Sequence, residues 1–165
     1  MRYVSIDPGK NRVAWAKWSE SGALISAGLA VESPSTDCRV EHWRKMAETT
    51  NIYTGIDSGQ WTELIVEIPQ IYGKGQEEKD PNDLIDLAGV VGAIASKICY
   101  GKVIWSPVPR EWKGQLPKVI SVKRVEEKLS DDEKKLIVWP SKSLKHNVYD
   151  ALHLGLTYLS KKGLR

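Results

Sequence analysis

"SIDPGKNRVAWAKW" occupies residues 5–18. A β-prone run is broken by an acid and a Pro-Gly turn, and a second strand-like run follows at once. Residues 1–6 alternate weakly, "DPGKN" has the composition of a turn, and "RVAWAKW" sets Val13, Trp15 and Lys17 against Ala14, Ala16 and Trp18. "ESG" (20–22) makes a second turn and "ALISAGLAV" (23–31) a third strand. The opening therefore predicts a three-stranded antiparallel meander with Asp7 at the end of its first strand.

Outward from this stretch, the chain continues as alternating elements. A helix is expected over 37–53, with Gly55 as its stop. "TELIVEIP" (62–69) is a nearly continuous apolar run, as a strand covered on both faces requires. "IYGKGQEEKDP" (71–81) has the composition of a loop. "NDLIDLAGVVGAIASKIC" (82–99) carries Leu84, Leu87, Ala88, Val91, Ala95 and Ile98 at helical spacing, with small residues that allow close packing. "KVIWSPVP" (102–109) reads as a strand, "SVKRVEEKLS" (121–130) as a helix, and "NVYDALHLGLTYLSKK" (147–162) as an apolar terminal helix. The order βββ-α-β-α-β-α-α predicts an α/β fold, a mixed sheet covered by helices, as one domain over residues 1–165.

Composition narrows the class. The chain has 165 residues, 41% hydrophobic and 27% charged, which is the make-up of a folded globular domain and not of a disordered one. No apolar run reaches the roughly 18 residues of a membrane span, and the opening does not read as a secretory leader. Cys38 and Cys99 are far apart without metal-ligand neighbours, so free thiols and a cytoplasmic setting are expected. The net charge is only +3, yet Arg110, Lys113, Lys118, Lys123, Arg124 and Lys128 outnumber the acids among them, and Lys142 and Lys145 precede the last helix. Such clusters fit a polyanion partner or an ordinary solvated helix face.

Three acids stand in apolar surroundings: Asp7 after the first strand, Glu67 within "LIVEIP", and Asp150 within "HNVYDALHLGL". Each alone is explained by a turn cap, an edge position or a helix surface. Together, on elements that can meet at one end of a sheet, they suit a divalent cation, since isolated buried carboxylates are costly and hard oxygen ligands match Mg²⁺ or Mn²⁺.

The ordered set "SIDPGKNRVAWAKW", "LIVEIP" and "HNVYDALHLGL" resembles the RuvC-type Holliday junction resolvases of the RNase H-like superfamily, over nearly the full length. The resemblance implies an RNase H-like mixed sheet, a three-stranded antiparallel meander plus parallel strands flanked by helices. It also implies a Mg²⁺-dependent endonuclease, with Mn²⁺ able to substitute and two ions bound, acting in DNA recombination and repair as a homodimer on four-way junctions. Asp7 matches the first-strand acid, Glu67 the central-strand acid and Asp150 the final acid. The family has an Asp or His three residues before that last acid, where this chain has Asn147, with His146 one residue earlier; either could be the fourth site group. Compactness and this shifted motif fit a bacteriophage-type member.

The family's aromatic three residues after its Glu is replaced here by Gln70, and Tyr72 is the nearest ring, able to stack on a base or to serve as a loop tyrosine. Phosphate-contact candidates are Lys10, Arg12, Lys74, Lys113, Lys118, Lys123 and Lys142. Trp112 is expected to pack under the basic stretch and His153 to pack within the fold. The helix over 82–98 serves either as the dimer face or as a core helix. Competing readings are a flap, fork or structured-RNA nuclease of the same fold, and a branched-DNA-binding module without chemistry.

Overall fold

The computed structural model describes residues 2–33, 38–56, 62–70, 80–97, 101–114 and 116–165. The order is β1 (Arg2–Asp7), β2 (Arg12–Trp18), β3 (Leu24–Val31), α1 (Arg39–Thr54), β4 (Thr62–Val66), α2 (Pro81–Ser96), β5 (Gly101–Trp105), α3 (Pro109–Trp112), α4 (Lys118–Lys128), α5 (Asp131–Lys135) and α6 (Lys145–Lys161). The five strands form one sheet in the order β3-β2-β1-β4-β5. β1, β2 and β3 are antiparallel neighbours, as the opening stretch predicts, while β1–β4 and β4–β5 are parallel.

The period-2 alternation of β1 divides the core. Val4 and Ile6 join Val13, Trp15, Leu64 and Val66 on the face covered by Met46 and Ala47 of α1 and Val90 and Ile94 of α2. Tyr3 joins Ala16, Trp18 and Ile65 on the face covered by Val125 of α4 and Leu152 and Leu156 of α6. Each fully buried large side chain, Ile6 and Leu64 among them, contributes about 1.5–3 kcal/mol relative to exposure.

α6 is buried almost all round from Ala151 to Leu156 and rests on β1 and β2. Its approach is fixed by a buried node. Ser5 Oγ donates to the Ala151 carbonyl at 2.8 Å, and the Trp18 indole N–H donates to Ser5 Oγ at 2.9 Å. Gly155 makes this possible: a Cβ there would lie 2.4 Å from Trp18 Nε1 and 2.6 Å from Ser5 Oγ.

Several sequence expectations change. The strand expected over 102–109 ends at Trp105, because Pro107 and Pro109 cannot extend the ladder and Pro109 instead opens the single turn α3. α4 begins at Lys118, directly after Pro117, three residues earlier than expected. α5 is an additional element, set by a capping box in which Ser130 Oγ accepts from Glu133 N and Glu133 Oε2 accepts from Ser130 N. On α2 the buried positions are Asp86, Val90 and Ile94, not the stripe through Leu84, Ala88 and Ala95. Asp86 lies inward because the Trp43 indole N–H donates to it at 3.1 Å and Lys10 and Arg39 stand within 3.9 Å. Gly89 lies against the Trp43 ring, so part of the small-residue set serves α1–α2 packing, whereas Ala88 and Gly92 face outward beside Ile85.

Candidate active site

Asp7 and Glu67 are brought side by side by the parallel β1–β4 ladder. Ile6 pairs with Val66, and the Glu67 N–H donates to the Ile6 carbonyl at 3.1 Å, so the two acids leave adjacent strands at the same level. Both continue the sheet face of Ser5 and Ile65, the face toward α6. Asp150 comes from α6 and is the residue before Ala151, whose carbonyl Ser5 holds. One residue of β1 thus anchors the helix carrying the third acid, two positions before the strand delivers the first.

Lys113 stands between two of the acids, its Nζ 3.9 Å from Glu67 Oε2 and 3.6 Å from Asp150 Oδ2. Burial, then Glu67 and Asp150, push the Asp7 carboxyl well above the ordinary carboxylate range, against the pull of Lys113 and Lys118. Burial also raises Glu67, opposed by Lys113 and by the Trp112 indole N–H, which donates to Glu67 Oε2 at 2.7 Å. His153, one turn beyond Asp150, is buried; burial lowers its pKa, Ser121 Oγ shares a hydrogen bond with its Nδ1 at 2.7 Å, and its ring meets Trp112 edge-on. Tyr149 pins α6 to α4 through Glu126, and burial with that bond pushes its hydroxyl up to about 12.

Three hard carboxylates that crowd one another's charge fit a divalent cation in donor chemistry, and the Lys113 ammonium is a positive charge already drawn to that place. Among the described residues, no three His, Cys, Asp or Glu side chains close on a point where they would enclose an ion in this arrangement.

The other sequence candidates are spread more widely. His146 is exposed and Asn147 half-buried, both in the first turn of α6. Lys118 is exposed at the start of α4 and contributes to the field at Asp7. Lys123 is exposed and pairs with Glu127 at 3.7 Å. Arg12 opens β2 and Lys142 lies in the 3₁₀ turn before α6, both exposed. Lys10 is committed to α2, donating to Asp83 at 2.9 Å. Tyr72 and Lys74 lie outside the described residues, as does Cys99; Cys38 is exposed. Trp112 packs as expected, but its contact with Glu67 is new. The signal for it was a Trp beside Lys113 just past a strand end, since a buried indole N–H needs an acceptor.

No family model matches the sequence, and no curated protein sequence does. Solved structures do match. The Thermus thermophilus RuvC structure aligns over 99% of this chain and 97% of its own with a TM-score of 0.63 at 16% identity. T. thermophilus RuvC in complex with Holliday junction substrate gives 0.65 at 15% identity, again over 99% and 97%. The yeast mitochondrial Holliday junction resolvase gives 0.54 at 15% identity, over 98% of this chain and 79% of its own. This chain has the RuvC fold. The RuvC-like architecture accounts for the mixed sheet and flanking helices, and no helix among the described residues is long and apolar enough to cross a membrane.

Proposed function

We propose that this chain is a metal-dependent, structure-selective endonuclease that resolves four-way DNA junctions by paired phosphodiester nicks. The observation that carries this reading is the convergence of Asp7, Glu67 and Asp150 on one end of the sheet, with Asp7 half-buried and crowded by the other two charges. Asp7, Glu67 and Asp150 would hold Mg²⁺, two ions in the full site, with Mn²⁺ able to replace it. When bound, the metal supplies an acidified water for attack on phosphorus and offsets charge on the leaving oxygen. Glu67 is aimed by Trp112. Lys113, within 3.9 Å of two of the acids, is placed to bind a phosphate oxygen once a cation relieves it of that duty. His146 can hold a proton at a ring nitrogen and Asn147 can only hydrogen-bond, and one of them completes the site.

Lys118, Lys123, Arg12 and Lys142 supply the surface for the DNA backbone, with Lys74 and Tyr72 as further contacts. A junction has two strands to cut, so the active particle is a homodimer, with Ile85, Ala88 and Gly92 of α2 as its face. The test is cleavage of a synthetic immobile four-way junction beside linear duplex and flap controls in Mg²⁺, with Asp7→Asn in parallel. Paired symmetric nicks confined to the junction and lost in Asp7→Asn support the reading. Equal cutting of linear duplex refutes junction selectivity, and junction binding without cleavage in Mg²⁺ or Mn²⁺ reduces the chain to a binding module.

A further inference from the structure

We infer that Trp112 is a positioning residue for Glu67, itself set by His153 and Ser121; this rests on the reading of Glu67 as a metal ligand. Glu67 lies one residue past the end of β4, so the ladder fixes its backbone but not its carboxylate. The Trp112 N–H fixes the carboxylate, donating to Oε2 at 2.7 Å, the short distance of a charge-assisted bond. α3 is a single turn of four residues and cannot orient an indole by itself. The orientation comes from α6: the His153 ring meets Trp112 edge-on at 5.2 Å and 79°, and Ser121 of α4 holds His153 Nδ1 at 2.7 Å. The helix that delivers Asp150 therefore also carries the ring that steers the donor to Glu67. Any shift of α6 reaches two of the three acids at once. One Glu67 oxygen is pinned by the indole, so the group meets an ion in a set orientation, as supporting hydrogen bonds do for metal ligands generally.

The experiment is a Mg²⁺ titration of the full chain followed by ¹H–¹⁵N spectra, with the Trp112 indole resonance assigned by its loss in Trp112→Phe. Phenylalanine keeps the ring packing and removes the donor. The indole resonance is expected to move with Mg²⁺ along the same saturation curve as the Asp7 and Asp150 amides, and Trp112→Phe is expected to need about 10–100-fold more Mg²⁺ for half-saturation. Trp43→Phe removes an indole–carboxylate bond on the opposite sheet face, to Asp86, and is expected to leave the Mg²⁺ requirement unchanged. An indole that stays still while the acid amides shift, or a Trp112→Phe chain with the wild-type Mg²⁺ requirement, overturns the positioning role and leaves the proposed function standing. No shift anywhere with Mg²⁺, together with no paramagnetic broadening by Mn²⁺, overturns both. Should Trp112→Phe not fold, the indole is assigned through its own backbone amide and the wild-type titration decides.

Discussion

Replacing Ser5 with alanine removes one hydroxyl from the node between β1 and α6, and the cost can be worked from its partners. Trp18 is fully buried, so its indole N–H loses its acceptor with no water to replace it. The Ala151 carbonyl lies inside α6 and retains the helical ladder, which leaves the indole as the stranded group. An unsatisfied buried donor costs about 1–3 kcal/mol. At about 2–4 °C per kcal/mol for this chain length, a loss of about 2 kcal/mol lowers Tm by about 4–8 °C. Gly155→Ala supplies the companion: its Cβ meets Trp18 Nε1 at 2.4 Å and Ser5 Oγ at 2.6 Å, an overpacking worth about 1–3 kcal/mol. With Ser5→Ala already present, one obstacle is gone and the indole is no longer tied, so the second substitution should cost less than it does alone. A coupling of about 0.5–2 kcal/mol is expected from urea unfolding of the four proteins in a double-mutant cycle. Additive losses, or a Ser5→Ala chain within about 0.5 kcal/mol of wild type, would mean that the Ser5 hydroxyl does not tie Trp18 to α6.

Asp7→Asn is expected to raise the Tm of the metal-free chain at pH 7 while removing cleavage, because the charged carboxylate is penalised only in the folded state. That penalty is fully present above the raised folded pKa and fades as pH falls through it, so wild type should gain on the variant as pH is lowered in EDTA; a more stable wild type at pH 7 contradicts this. Glu133 is pushed up by burial but held lower overall by bonds from the Leu24 and Ser130 N–H groups and from Arg165. Its contribution is present above the unfolded value of 4.5 and lost as pH falls through the depressed folded one. Glu133→Ala should therefore cost about 1–3 kcal/mol at neutral pH and little in acid, as measured by urea melts across pH. Lys118→Ala should weaken junction binding and reduce the slope of log affinity against log salt by about 1, whereas Lys10→Ala, whose charge is committed to Asp83, should leave the slope nearly unchanged.

The meander and the placement of Asp7 were legible because alternation in "RVAWAKW" and a Pro-Gly turn are local signals. Glu67 stood out as an acid inside the apolar run "LIVEIP", yet an edge position would explain it alone; only its company with Asp7 and Asp150 marked it as a candidate. The α2 face was misread because the pattern of apolar residues gives no warning that Asp86 is turned inward, where Trp43 from another helix satisfies it. α5 carried a readable signal in Ser130 and Glu133, a capping box before a short run without an apolar face. Trp112 and Lys113 could be read as a packing ring and a basic residue, but their meeting with Glu67 is a contact across 45 residues of sequence, set by the pairing of β4 with β5 and not by any local pattern.

The ammonium of Lys113 gives the acid centre a counterion of its own before any metal arrives. On the proposed reading, an incoming ion must outbid that tethered charge. A singly charged ion such as Na⁺ or K⁺ offers the acids no more than they already possess, and arrives at the expense of its hydration. A doubly charged one offers more, so on that reading valence itself would act as a filter, built from one long side chain instead of a rigid cage.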